Sequence, residues 1–154
     1  HWNRPGYMLY GVSPFKQKHI NTKNLRPVMT LKSAITSIKH IKCGDSVGYG
    51  STWTADRDSI IATIAIGYGD GYPRNARNGT PVLVNGERVP LVGRVSMGVI
   101  TLDITELKNI VVGDEVILWG DGLSISEVAD YAGTVGYELL AGMPARVPRI
   151  YQDS

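Results

Sequence analysis

Short runs of apolar residues separated by turn residues dominate the chain, a pattern typical of half-buried β-strands. The clearest run covers residues 59–67, which are β-branched or apolar and end in glycine. A longer bent strand is predicted over residues 27–41, because β-branched residues are frequent there. Further strand-length runs occupy residues 81–84, 88–92, 99–104 and 115–119. The Asn85-Gly86 pair predicts a hairpin, because both residues tolerate positive φ.

The two ends of the chain also carry apolar runs of strand length. Residues 7–10, Tyr-Met-Leu-Tyr, lie between Pro5-Gly6 and Gly11, and the sequence predicts a strand there. A final strand is predicted over residues 146–151.

Two short helices are predicted near the C-terminus. Residues 124–131 have apolar positions at helical spacing, with Ser124 or Ser126 as the N-cap. Gly133 ends that helix, and a second one is predicted over residues 137–141.

Closely spaced strands with turns between them predict a mainly β fold, a β-barrel or sandwich with one or two short helices. The 154 residues are enough for one domain with a buried core. A hydrophobic fraction of 43% and a charged fraction of 19% are ordinary for a soluble globular protein.

Composition gives no support to several other classes of protein. The net charge of +2 comes without a run of like charges, so no nucleic-acid partner is expected. Cys43 is the single cysteine, which excludes an intrachain disulfide and fits a reducing compartment such as the cytoplasm. The chain has neither a visible signal peptide nor an apolar run of the roughly 18 residues that a membrane span needs.

Most short chemical motifs are also absent or incomplete. His1, His19 and His40 lack the spacing of metal ligands, so no metal site is expected. Residues 67–71, Gly-Tyr-Gly-Asp-Gly, resemble a dinucleotide fingerprint, but Pro73-Arg74 follow where a helix is required. From the residues alone, we expect an anion-binding β-domain with functional tyrosines and arginines on its loops.

Several segments together resemble alanine racemase, in that family's order and spacing. They are residues 4–14 (Arg-Pro-Gly-Tyr-Met-Leu-Tyr-Gly-Val-Ser-Pro), 47–53 (Val-Gly-Tyr-Gly-Ser-Thr-Trp), 66–74 (Ile-Gly-Tyr-Gly-Asp-Gly-Tyr-Pro-Arg), 92–97 (Val-Gly-Arg-Val-Ser-Met) and 133–139 (Gly-Thr-Val-Gly-Tyr-Glu-Leu). The resemblance implies three parts. Residues 1–14 would be the last strand and phosphate-binding edge of a pyridoxal phosphate (β/α)₈ barrel, 15–26 a connecting loop, and 27–154 the C-terminal β-domain.

The same resemblance implies a catalytic tyrosine and a cofactor-binding edge. Tyr49 resembles the base that handles the α-proton of L-alanine, acting across the dimer interface on the cofactor of the other subunit. Arg4 resembles the arginine that faces the pyridine nitrogen of pyridoxal 5'-phosphate. Gly6 and Tyr7 match backbone positions that bind the cofactor phosphate.

Further residues resemble the family's substrate-binding positions. Tyr68, Arg74 and Arg94 match the residues that line the substrate entrance. Met97 matches the position whose backbone meets the substrate carboxylate.

Two positions depart from the family pattern. Gly98 stands where the family usually has aspartate, which removes a carboxylate beside the site. Ala145 stands where some members carry a phosphate-binding tyrosine, so any phenol contact to the phosphate is expected from the missing half.

The implied enzyme is a homodimer that acts on alanine with active sites at the interface, and the N-terminal barrel portion would be this chain's partner. Alone, the chain is expected to be inactive, because the cofactor-binding lysine is absent. A related racemase for serine or another amino acid, and a non-catalytic β-domain that binds a protein partner, stay open as alternatives.

Overall fold

The computed structural model describes residues 1–15 and 19–152. Residues 16–18 of the expected connecting loop and residues 153–154 of the expected β-domain lie outside this range. Within it, the strands are β1 Leu31–Ile41, β2 Ser46–Val47, β3 Trp53–Thr54, β4 Ser59–Ile64, β5 Pro81–Val84, β6 Glu87–Pro90, β7 Ile100–Asp103 and β8 Glu115–Trp119. The α-helices are α1 Ile125–Ala132 and α2 Gly136–Ala141. Short 3₁₀ helices occupy Gly6–Tyr10, Ile20–Thr22, Tyr49–Ser51 and Tyr68–Asp70.

Six of these strands form an antiparallel sheet that nearly closes into a barrel. The strand order is β6-β5-β8-β1-β4-β7. The two edges approach each other where Leu91, just after β6, bridges to Leu102 of β7. Beside that bridge, the Val92 N–H donates to the carbonyl oxygen of Thr101 at 2.9 Å. The closure confirms the mainly β, barrel-like fold that the strand pattern predicts.

The core lies inside this barrel and beneath α1. Trp119 of β8 is fully buried, and its ring stacks on Tyr72 with 6.0 Å between centroids. Helix α1 covers the core with Val128 and Ala129, and Ser124 caps it by accepting the Ser126 N–H at 3.2 Å. Of the two serines that the sequence offers as caps, Ser124 is therefore the one used.

The prediction of a strand at each end of the chain is wrong, because neither run forms a strand. Residues 7–10 form a 3₁₀ helix, in which the Met8 and Gly11 N–H groups donate to the carbonyls of Pro5 and Met8. An apolar run becomes a strand only beside a pairing partner, and within the described residues no strand pairs with this run. Residues 146–151 are irregular too, and Pro148 lacks the N–H that a ladder needs.

The two longest predicted strands are shorter than their apolar runs. The bent strand predicted from residue 27 begins at Leu31, and the strand predicted over residues 59–67 ends at Ile64. Within the described residues, no helix is long and apolar enough to cross a membrane.

Replacing Tyr72 with phenylalanine is expected to keep or raise stability. Its phenol is 1% exposed, and within the described residues its hydroxyl has no hydrogen-bond partner. Burial raises the pKa of this phenol above its ordinary value of 10.0. Above that pH the unfolded chain loses the proton first, so stability that is complete below pH 10.0 falls as pH rises further.

We therefore expect Tyr72→Phe to raise the unfolding free energy at neutral pH by up to about 1 kcal/mol. The loss of stability at alkaline pH should also become shallower. Urea unfolding between about pH 7 and 11 measures both effects. The same substitution at the exposed Tyr151 is the control, and an equal change there would contradict the role of burial.

Candidate functional site

The backbone just before Tyr49 packs against residues 93–94, which follow β6. Gly48 has φ of 80°, and a Cβ atom there would lie 2.8 Å from the Arg94 nitrogen and 3.3 Å from the Gly93 Cα. A glycine at position 48 is therefore required by both conformation and space. This close approach sets the Tyr49 side chain, which is 75% exposed, beside Arg94.

Tyr49 and Arg94 line the same shallow pocket. It has a volume of about 290 Å³, and Ser96 and Thr101 contribute to its wall. The Ser96 hydroxyl shapes this wall by donating to the carbonyl oxygen of Val99 at 2.8 Å. An exposed phenol thus shares a concave surface with a guanidinium.

The loop of residues 67–71, here called the entrance loop, lies against the same stretch of chain. The Tyr68 N–H donates to the Ser96 carbonyl at 3.0 Å, and the Gly69 N–H donates to the Met97 carbonyl at 2.9 Å. The guanidinium of Arg74 lies over the Tyr68 ring, 5.8 Å from its centroid.

Five of the residues predicted from the sequence therefore come together along residues 94–97. Tyr49 and Arg94 lie at one end of that segment, and Tyr68, Arg74 and Met97 at the other. All five side chains are exposed, so a ligand or a second protein surface can reach them. Gly98 follows at once, and a Cβ atom there would meet no atom within 4 Å, so neither space nor a left-handed φ requires glycine.

The other three predicted residues lie at the N-terminal 3₁₀ helix. Gly6 is exposed and has φ of 55°. The Tyr7 N–H donates to the Tyr137 hydroxyl at 2.5 Å, and the two rings stack at 4.3 Å between centroids. Arg4 is exposed nearby in the chain.

The Tyr7 side chain is buried and packs tightly against the start of α2. Its hydroxyl lies 3.2 Å from the Ser126 hydroxyl, and a Cβ atom at Gly136 would overlap it. Burial raises the pKa of the Tyr7 phenol, while the hydrogen bond to Ser126 acts in the opposite direction. These contacts join the N-terminal segment to both helices.

Tyr137 is a further candidate at this edge that the sequence analysis does not name. Its hydroxyl accepts the Tyr7 N–H, whereas the expectation that a phenol contact to the phosphate comes from outside this chain stays a prediction. The available signal was its place in the motif at residues 133–139. Its contact is with a residue 130 positions away, which no local pattern reveals.

The two groups of residues are separate within one chain. Among residues 1–15 and 19–152, no hydrogen bond or ring contact joins Arg4–Tyr7 to Tyr49 or to residues 94–97. The described residues also contain no group of three or more histidine, cysteine, aspartate or glutamate side chains placed to hold a metal ion.

Comparisons with known proteins all point to the same family. Residues 28–151 match the family model described as alanine racemase, C-terminal domain. The chain is 53% identical to an alanine racemase of Pseudoalteromonas atlantica over 150 residues, which cover 97% of this chain and 40% of that protein. A Vibrio cholerae alanine racemase is 54% identical over 150 residues, covering 97% and 42%.

Solved structures agree with the sequence comparisons. The biosynthetic alanine racemase of Pseudomonas aeruginosa superposes with a TM-score of 0.94 at 50% identity, covering 99% of this chain and 42% of that one. The alanine racemase of Bartonella henselae, solved with covalently bound pyridoxal phosphate, gives a TM-score of 0.87 at 36% identity, covering 96% and 40%. The chain thus spans about two fifths of the length of these relatives.

Proposed function

The chain belongs to the alanine racemase C-terminal domain family, as its motifs indicated, and from that premise we propose that it is the C-terminal part of a pyridoxal phosphate-dependent alanine racemase. The complete enzyme would interconvert L-alanine and D-alanine by two-base proton exchange. The observation that supports this proposal most directly is the exposed Tyr49 phenol, which lines one pocket with Arg94 and follows the close contact of Gly48 with the Arg94 backbone.

Tyr49 would act as one of the two bases. An ordinary phenol has a pKa near 10, so it accepts a proton at neutral pH only where positive charge stabilises the phenolate. Arg94 carries a positive charge and lines the same pocket. Because Tyr49 lies apart from the Gly6–Tyr7 edge of its own chain, it would serve the cofactor held by the second subunit of a homodimer.

The Gly6–Tyr7 edge presents a phenol to a phosphate group. The Tyr137 hydroxyl accepts the Tyr7 N–H and keeps its own O–H to donate, and a side chain at Gly6 would close the space in front of that oxygen, because its Cβ atom would lie 2.8 Å away. We infer that Gly6, Tyr7 and Tyr137 hold the cofactor phosphate, with Tyr137 supplying the phenol that position 145 lacks.

Arg4 would face the pyridine nitrogen, and its guanidinium can only donate, which leaves that nitrogen unprotonated. When bound, pyridoxal phosphate withdraws electrons from the α-carbon of the amino acid and thereby makes its α-proton acidic. Tyr68, Arg74, Arg94 and the backbone of Met97 would line the path by which alanine enters.

Activity is testable after the chain is completed. We would join the N-terminal part of the Pseudomonas aeruginosa racemase to this chain, add pyridoxal phosphate, and measure D-alanine formed from L-alanine, with L-serine assayed in parallel. Activity on alanine supports the proposal, and higher activity on serine would redirect it to a related racemase. Cofactor binding without activity on either substrate, restored by Gly98→Asp, would identify Gly98 as a disabling change. Failure to bind the cofactor would favour a non-catalytic module.

Removing the Tyr137 hydroxyl is expected to weaken cofactor binding. In the completed chimera, Tyr137→Phe should raise the Kd of pyridoxal phosphate about 10- to 100-fold, because a hydrogen bond to a charged group is lost. The Kd of pyridoxal, which has no phosphate, should change little. Equilibrium dialysis measures both constants, and Tyr131→Phe, a phenol that lies over Arg77 instead, is the control. Equal weakening of both ligands would contradict the phosphate contact.

A further inference from the structure

The entrance loop packs against the segment that follows α2. A Cβ atom at Gly71 would lie 3.0 Å from both the Met143 sulfur and the Pro144 Cδ. One at Gly69 would lie 3.7 Å from the Arg146 guanidinium. Residues 143–146 therefore pack directly on the loop, which also contacts Met97.

Asp70 connects the loop to that segment through both of its carboxylate oxygens. Oδ2 accepts the Gly67 N–H at 3.0 Å and closes the turn of the loop upon itself. Oδ1 lies 2.9 Å from a guanidinium nitrogen of Arg146 and forms an ion pair with it. The loop turn and the C-terminal segment are thus joined through a single carboxylate.

Burial decides how much this ion pair matters. Exposed ion pairs contribute little because water competes for both charges, and the Arg146 side chain is 64% exposed. The Asp70 side chain is only 16% exposed. Without Arg146, Oδ1 has no ion-pair partner while the carboxylate is still mostly buried, which favours opening of the loop to water. Opening would pull the Tyr68 and Gly69 N–H groups away from Ser96 and Met97.

We propose that Arg146 is a positioning residue for the substrate entrance. Through Asp70 it fixes the loop that carries Tyr68 against the Met97 backbone, and it thereby sets the affinity for the amino acid without touching the amino acid. The inference rests on the proposed racemase function for its kinetic effect, whereas the position of the loop is independent of that function.

The test uses the completed chimera with cofactor and compares Arg146→Ala, Arg146→Lys and Arg149→Ala. Arg149 lies three positions further on, and its guanidinium donates only a 3.4 Å hydrogen bond to the Met143 carbonyl. Arg146→Ala should raise KM for L-alanine about 5- to 20-fold with kcat nearly unchanged. Arg146→Lys should restore most of the affinity, and Arg149→Ala should leave both constants as they were. A fall in kcat at constant KM, or an equal effect from Arg149→Ala, would overturn the proposal.

Amide hydrogen exchange separates this inference from the proposed function. In Arg146→Ala, the Tyr68 and Gly69 amides should exchange at least about tenfold faster, since their hydrogen bonds open more often, and the amides of β5 should not change. If the chimera is inactive, this measurement alone decides, and unchanged exchange overturns the proposal. Asp70→Asn, which keeps the side-chain shape, should accelerate exchange of the same two amides. In the double variant with Arg146→Ala, these amides should exchange no faster than in Arg146→Ala alone.

Discussion

Tyr49→Phe is expected to abolish most racemisation while leaving cofactor binding intact. General base catalysis contributes about 10²–10⁴-fold to a rate, and kcat for D-alanine formation in the completed chimera should fall by that factor. The phenol is 75% exposed and makes no hydrogen bond within residues 1–15 and 19–152. Its removal should therefore change the unfolding free energy by less than about 0.5 kcal/mol.

The proposed two-base mechanism gives this variant a second, sharper readout. If lysine acts on one face of the substrate and Tyr49 on the other, Tyr49→Phe should still exchange the α-proton of D-alanine with deuterated solvent. The same variant should fail to convert D-alanine into L-alanine, which NMR and chiral chromatography follow together. Full racemisation by the variant, or loss of exchange for both enantiomers, would contradict the assignment, and Tyr151→Phe should behave as the parent chimera.

Gly67→Ala is expected to have the second largest effect, because it separates the entrance loop from the residues it contacts. A Cβ atom at this position would overlap the Ser96 carbonyl oxygen and lie 2.5 Å from the Met97 carbonyl carbon and oxygen. These are backbone atoms, which cannot rotate away as a side chain could. The φ of −152° is ordinary extended backbone, so the clash alone causes the effect.

Forcing an extra methyl group into a tight contact costs about 1–3 kcal/mol. The unfolding free energy from urea titration should fall by that amount, and KM for L-alanine should rise because Tyr68 and Met97 move apart. Gly98→Ala is the matched control, since a Cβ atom there meets nothing within 4 Å. An equal loss of stability in both variants would show that the contact is not responsible.

Local signals in the sequence predict the parts of the fold that local contacts determine. The Asn85-Gly86 turn defines the β5–β6 hairpin, and Ser124 and Gly133 define the ends of α1. The runs at residues 7–10 and 146–151 carry the same apolar composition as real strands. They are not strands because strand formation depends on a neighbour with a free edge, which a single run does not encode.

The same limit applies to the candidate site. The resemblance names Tyr49, Tyr68, Arg74, Arg94 and Met97, and the structure brings these residues together along one segment, which supports their predicted roles without testing them. Tyr137 and Arg146 carry no such label, and each contacts a partner distant in sequence, Tyr7 and Asp70 respectively. Contacts of this kind become visible only when the chain is folded.

The pairing of β1 with β8 determines when this domain can fold. Leu31 pairs with Trp119 at the start of β1, whereas the end of the same strand pairs with the nearby β4. During synthesis, the first half of β1 has no strand to pair with on its β8 side until residues 115–119 have left the ribosome. Distant pairing of this kind slows folding and exposes apolar edges to other chains. We expect ribosome-bound chains that end before β8 to remain sensitive to protease and prone to aggregation, and protection to appear only after Trp119 has emerged.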